Sequence, residues 1–477
     1  MFKKRKRNEI LAVILLIFIF VVLYSLLSII RHQRFDSFAY DLGIYDQVVW
    51  KYSRFKTPYS TIKEKIIFGD HFTPTLVFLA PLYWFWDNVR ALLAFQAFWM
   101  GFSAFGLYLL AKHKKLSLLP ILAVLFSYLS FFGIQNAINF DFHAIMIGIG
   151  FLPWIFLFWE KEDWRKFTFL TILFLGSKEN LALIIFSLGI LTLFKKKVKI
   201  GVLITVLSLL YFFLVIGKII PYFSPAGYEY GPSLPDNIFG FVKNFFLPIE
   251  KTQTLVYSFL WFSFLPFLSF KALFLSLIDF SQYFLSGDKY SSMWGFYMHY
   301  RASIAPILAW GMIDGFSSLK KKKININKLA VLAIIIPLFL DYRLHLPLNK
   351  LSKGYYWQRE KYMDDNQAMI NYINEAIPKD AGIVTQNNLV AHLTHRDDIF
   401  LLWAREEEMC GELKCWWLFW PDKPDYLLVD LHQGQALTHL LVDSEKELKK
   451  AVFNMIELNT LSLEKKIGET YLFKINK

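Results

Sequence analysis

The feature that most constrains this chain is the run from Ile10 to Ile30, which contains no charged residue. As an α-helix of about 21 residues it rises roughly 30 Å, enough to cross a hydrocarbon core. It is too long for the core of a secretory signal, and no A-x-A-like site follows it, so it reads as an uncleaved anchor. Comparable apolar runs recur along the 477 residues, of which 55% are hydrophobic and 18% aromatic. That is too apolar for a soluble domain. The net charge of +13 sits in short knots between the runs: "KKRKR", "KHKK", "KKKVK" and "KKKK". A nucleic-acid binder would spread such charge over a polar face, so a nucleic-acid partner is not expected. Knots of this kind mark the cytoplasmic ends of spans.

With "KKRKR" inside, the chain can be walked by topology. Helix one exits near Ile30, and residues 31–90 form a first outer segment containing the proline-broken "DHFTPTLVFLAPLYWFW", read as interfacial or re-entrant. Spans follow at 91–111, 117–138 and 144–159. The stretch from Phe167 to Phe194 is interrupted by "SKEN". Read as one helix, it would place "KKKVK" outside. As a hairpin it keeps that knot inside, but its first arm of about ten residues rises only about 15 Å. The conflict resolves if "SKEN" sits at the floor of an outward cavity, where irregular backbone is tolerated at membrane depth. Further spans at 200–217, 253–270, 272–285, 303–317 and 327–341 bring the count to about eleven. The expectation is an α-helical polytopic protein of the cytoplasmic membrane, with residues 1–341 in the transmembrane domain and the N-terminus cytoplasmic.

From about Asp341 the composition turns soluble. "MDDNQAMINYINEAI" and "SEKELKKAVFNMIEL" read as amphipathic helices, and "GIVTQ", "DIFLL" and "DYLLVDL" as buried strands. Residues 342–477 are expected to form a small extracytoplasmic α/β domain. Cys410 and Cys415 are open to two readings, a local disulfide or free thiols.

The polar residues that need explaining fall at the outer ends of the spans: Asp41, Asp46, Asp70, His71, Asp141, His143, Lys178, Glu179, His299 and Arg301. Random punctuation would fall on both sides. A lysine at membrane depth costs about 2.5–3.5 kcal/mol unless paired or wetted. Lys178 is therefore either neutralised by Glu179 or a cationic seat for an anion. Arg301 is either an interfacial arginine or a second cation, well suited to bidentate contact with phosphate. "FDFH" and "DH" supply Asp141 with His143 and Asp70 with His71. Such pairs offer donors for a divalent metal, although the spacing is no specific metal signature; hydrogen bonding is the alternative.

In order along the chain, "FAYDLGIYDQVVW", "GDHFTPTLVFLAPLYWFW", "LLAFQ", "NFDFH", "SKEN", "MHYRASIAPIL" and "AIPKDAGIVTQNNLVAHLTHR…PDYLLVDL" resemble the predicted-membrane-protein family called domain of unknown function 2079. That family in turn is similar to the GT-C glycosyltransferases of the aminoarabinose-transferase and protein-mannosyltransferase type. Asp41 and Tyr45 match the first and last positions of an acidic D-E-x-x-Y motif, with Leu42 in place of the second acid. "APLYWFW" echoes a K-P-P-L-Y-Y-W-like segment. Lys178 echoes the lysine of a K-G-P turn, with Glu179 and Asn180 replacing Gly-Pro. The resemblance implies a GT-C-like fold, a polyprenyl-phosphate sugar donor, an extracytoplasmic site and an acceptor that the sequence does not identify.

If "DLGIYD" is helical, residues four apart lie about 40° apart and residues five apart about 140°. Asp41 then shares a face with Tyr45, and Asp46 points elsewhere. Asp41 is the expected base. Lys178 and Arg301 are the expected phosphate contacts, and His71, His143, Tyr45, Glu179, His299 and Asp141 are further substrate contacts. Two other classes stay open: a transporter or flippase, which also uses broken helices, and a non-catalytic envelope scaffold of the same shape.

Overall fold

The computed structural model describes residues 2–231, 235, 237–285, 288–407, 415–419, 424–432 and 445–476. The chain divides into two compact units. The first comprises Met1–Ser28, Phe68–Leu76 and Leu93–Tyr355; the second comprises Ile29–Ile67, Val77–Leu92 and Tyr356–Lys477.

The first unit is helical. The expected spans fall on Phe2–Gln33, Val89–His113, Leu118–Ser130 with Phe132–Phe140, Ala144–Glu160, Trp164–Leu175, Ala182–Phe194, Val198–Leu214, Phe270–Phe284, Ile304–Lys321 and Ile326–Leu344. The span expected at 253–270 is helical only within Ile249–Trp261, after which Ser263 and Phe264 turn left-handed (φ 54 and 55) and a 3-10 segment covers Leu265–Leu268. Among the described residues, five segments are long and apolar enough to cross a membrane by length and composition. Others, such as Ala144–Glu160 and Glu179–Phe194, are apolar but shorter.

The interruption read at "SKEN" is real. The helix Trp164–Leu175 stops at Gly176, Lys178 is extended (φ −169, ψ 142), and a 3-10 turn over Glu179–Leu181 leads into Ala182–Phe194. Breaking a helix frees carbonyls that need donors. The segment before Leu76 supplies them: Thr75 N donates to Gly176 O at 2.9 Å, and Thr75 Oγ1 to Leu173 O at 2.8 Å. A second break lies at Phe131 (φ −54, ψ 133), between Leu118–Ser130 and Phe132–Phe140. Gly133 then lies against the turn His299–Arg301, where an added Cβ would sit 2.5 Å from the Arg301 carbonyl oxygen.

At other helix ends, acids answer some of the basic knots. Lys114 Nζ lies 2.8 Å from Glu160 Oε2, Lys271 Nζ lies 2.9 Å from Asp314 Oδ2, and Lys271 also pairs with Glu160. This network ties together four stretches of chain that are distant in sequence.

The second unit is built on a five-stranded sheet ordered Ile399–Leu401, Ile383–Thr385, Tyr426–Asp430, Thr470–Ile475 and Leu461–Ile467. The first three strands are parallel, with Ile383 opposite both Ile399 and Tyr426; the last two pairings are antiparallel. Ile383, Val384, Leu427, Leu428 and Val429 are fully buried, as parallel strands require. The helix Lys361–Ala376 covers the sheet core with Met363, Asn366, Met369, Ile370 and Ile373, spaced three and four apart. The two C-terminal strands were not anticipated. Leu461–Ile467 buries its first residue but shows no alternation after it, so its sequence carries no period-two signal. Cys410 lies outside the described residues, and so does the disulfide question.

Gly133→Ala should force the Arg301 backbone away and cost about 1–3 kcal/mol through overpacking. Thermal unfolding of the detergent-solubilised chain reads this directly; an unchanged midpoint would contradict the close approach.

Candidate functional site

In the first unit, the broken helix presents Lys178 and Glu179 side by side, yet they do not neutralise each other as a salt bridge. Glu179 is fully buried. Its Oε1 lies 2.9 Å from His71 Nδ1, and its Oε2 accepts from Phe72 N at 3.2 Å. Lys178 is half-buried and forms no ion pair among the described residues. The Tyr230 ring stacks on His71 with centroids 4.6 Å apart, and the Tyr230 hydroxyl donates to Asp70 Oδ1 at 2.9 Å.

Arg301 has 0% exposure. Its Nη2 donates to Met293 O at 3.1 Å, and its guanidinium lies 4.6 Å from the Tyr283 ring centroid and 5.4 Å from those of Phe280 and Phe284. Its Nε and Nη1 have no hydrogen-bond partner among the described residues. Asp279 lies within electrostatic reach but forms no ion pair with it. The His143 and His299 rings lie 3.6 Å apart, and His299 is within electrostatic reach of His143, Lys178, His71 and Arg301. Gln96 braces the adjoining loop: its Nε2 donates to Asp141 O at 3.0 Å, and its Oε1 accepts from His143 N at 3.0 Å. The brace holds Asp141 at φ 125, a conformation that non-glycine residues seldom adopt.

The first unit therefore brings Lys178, Arg301, His71, His143 and His299 into one neighbourhood. Asp70 accepts from the Tyr230 hydroxyl, and His71 lies against Glu179. Among the described residues, Asp70, His71 and Asp141 belong to no group of three donors within metal-sharing distance. Sequence reading missed Asp279, although an acid inside an apolar helix is a signal in itself. It also missed Tyr230, for which a tyrosine-rich loop gave no positional clue.

In the second unit, Asp41 lies in a π-type turn, Ala39–Gly43, in which Tyr40 is non-helical (φ −89, ψ 114); the α-helix begins only at Ile44. The expectation that one helix carries Asp41 and Tyr45 on a common face is thus corrected, because the four-residue spacing crosses a turn boundary. Asp46 is fully buried and accepts hydrogen bonds from the Tyr83 and Thr394 hydroxyls. His395 bridges it to Asp87, with Nε2 3.2 Å from Asp46 Oδ2 and Nδ1 2.7 Å from Asp87 Oδ1. The His395 ring also packs edge-on against Tyr83 at 4.7 Å. His395 was not foreseen, because its partners are remote in sequence.

Comparison with solved structures shows a shared fold. Over 97% of both chains, the fold matches ArnT from Cupriavidus metallidurans bound to undecaprenyl phosphate, at 10% identity and a TM-score of 0.57. The apo state of the same protein matches at 11% identity, a TM-score of 0.52 and 97% of each chain. The chain thus shares its fold with that protein, a many-helix architecture with a C-terminal sheet-containing region. It belongs to the family described as predicted membrane protein (DUF2079), whose model matches residues 31–455. No curated protein matches it.

The His395 bridge predicts a pH dependence. Burial opposes the imidazolium, but the charges and hydrogen bonds of Asp46 and Asp87 outweigh burial and push the pKa up to about 9. The hydrogen bond from His395 is also the main reason the Asp87 carboxyl is held below its ordinary range; Arg54 and Lys379 add to the effect. A raised folded-state pKa gives stability that is complete below the unfolded value near 6.5 and lost as pH rises through about 9. The loss should be roughly 3 kcal/mol. Unfolding midpoints of the full chain between pH 6 and pH 10 test it: the wild type should fall across that range, and His395→Gln should start lower and stay flat.

Proposed function

We propose that this protein is a membrane glycosyltransferase that moves a sugar from a polyprenyl-phosphate-linked donor to an extracytoplasmic acceptor. The observation that carries the proposal is Arg301, a desolvated guanidinium with two unpartnered nitrogens and no ion pair to an acid. Burying a cation is expensive unless an anion compensates it, and a phosphate answers the forked geometry of arginine. Lys178 adds a second charge in the same neighbourhood. The undecaprenyl phosphate carried by ArnT, a protein of the same fold, supports the lipid class.

In this reading the Asp41 carboxylate takes the proton of the acceptor as it attacks the anomeric carbon. Lys178 and Arg301 stabilise the charge that develops on the departing lipid phosphate. In this reading the N-terminus lies in the cytoplasm and the reaction outside, a sidedness that the basic knots favour. Leu42 is fully buried, so the position of the missing second acid belongs to the apolar core. Neither Asp46 nor Asp70 replaces that acid, since each is engaged by other side chains. The mechanism therefore relies on one carboxylate at the motif.

Membranes containing the protein, incubated with radiolabelled polyprenyl-phosphate sugars, should transfer label. Asp41→Asn should lower transfer by about 100-fold or more, and Arg301→Leu should abolish retention of the lipid phosphate. Absence of transfer from every donor would favour a non-catalytic scaffold. Equal transfer by Asp41→Asn would remove only the base assignment.

A further inference from the structure

We infer that His71, held by Glu179, is the proton donor to the departing lipid phosphate, so that His71 is a catalytic residue and Glu179 its positioning residue. The inference rests on the glycosyltransferase reading above.

The geometry over-determines one imidazole. A carboxylate only accepts, so the 2.9 Å contact to Glu179 Oε1 assigns a proton to His71 Nδ1. The opposite nitrogen, Nε2, is left as the position from which the ring can donate elsewhere. The carboxylate is itself fixed, because its other oxygen is taken by Phe72 N. The ring plane is fixed by Tyr230, whose hydroxyl is anchored on Asp70. Glu179 has 0% exposure, and the charges of His71 and Lys178 act on it. A carboxylate this deeply buried is costly to keep unless it orients or charges a partner. The orienting role is the one that a triad acid plays toward its histidine. His71 also shares its neighbourhood with Lys178 and Arg301, the proposed phosphate contacts.

The step balances as follows. The acceptor oxygen bonds to the anomeric carbon and loses its proton to Asp41. The bond from that carbon to the phosphate oxygen breaks, and its electron pair stays on the oxygen. That oxygen takes the Nε2 proton of His71, which enters the step as the imidazolium and leaves it as the neutral ring with its Nδ1 proton still toward Glu179, so the lipid leaves as a singly protonated phosphate monoester. Solvent then carries a proton from Asp41 back to His71.

The test uses the full chain in membranes with a labelled polyprenyl-phosphate sugar. His71→Gln should lower kcat by about 100-fold with donor KM within about threefold. The wild-type pH profile should fall on its alkaline side, and the His71→Gln profile should lack that limb. Glu179→Gln, which keeps an acceptor oxygen for Nδ1 but removes the charge, should lose about tenfold, and Glu179→Asp should recover part of that. Retention of polyprenyl monophosphate by the purified variants guards against misfolding: it should persist in Glu179→Gln. An active wild type whose alkaline limb survives in His71→Gln would overturn the assignment of His71 alone. A wild type inactive with every polyprenyl-phosphate sugar would overturn the underlying reading as well.

Discussion

A guanidinium removed from water dominates the energetics of the first unit. Arg301 has no exposure, and the aromatic rings around it recover only part of the lost hydration. Its backbone is pressed against Gly133, where a side chain would not fit. The break at Phe131 brings that glycine into place, and the following helix ends at the loop carrying Asp141 and His143. The break at Phe131, the missing side chain at Gly133 and the aromatic rings of Phe280, Tyr283 and Phe284 thus all bear on one buried charge that no acid pairs.

Each unit solves the problem of buried charge in its own way. In the second, His395 lies between Asp46 and Asp87, and the hydroxyls of Tyr83 and Thr394 donate to Asp46. There acid and imidazole answer each other within the unit. In the first, Glu179 and His71 pair while Lys178 and two nitrogens of Arg301 stay open. The two units thus differ in whether a buried charge meets an opposite charge of its own.

Much of the fold was legible because its signals are local. Apolar runs and basic knots located the spans, and the mismatch between arm length and charge sidedness exposed the break at "SKEN". The strands Ile383–Thr385 and Tyr426–Asp430 were visible as short buried runs. Other features were hidden because they depend on long-range contacts. The partner of Glu179 lies 108 positions away, and a hydroxyl that satisfies Asp46 lies 348 away. Asp41 was singled out as an acid to explain, but its setting was misread, because a uniform helical period was applied across a π-type turn. The edge strand Leu461–Ile467 lacked the alternation that would have announced it.

The hydrogen bonds from Thr75 to Gly176 and Leu173 also bear on how such a chain is made. Synthesis runs from the N-terminus, so the donors leave the ribosome about a hundred residues before the carbonyls that need them. The interrupted hairpin can then enter the bilayer toward a segment that already exists. Order of synthesis thereby makes those donors available to the "SKEN" turn during its insertion. Moving the Phe68–Leu76 segment downstream of the hairpin in a permuted chain would remove that protection while leaving every final contact possible.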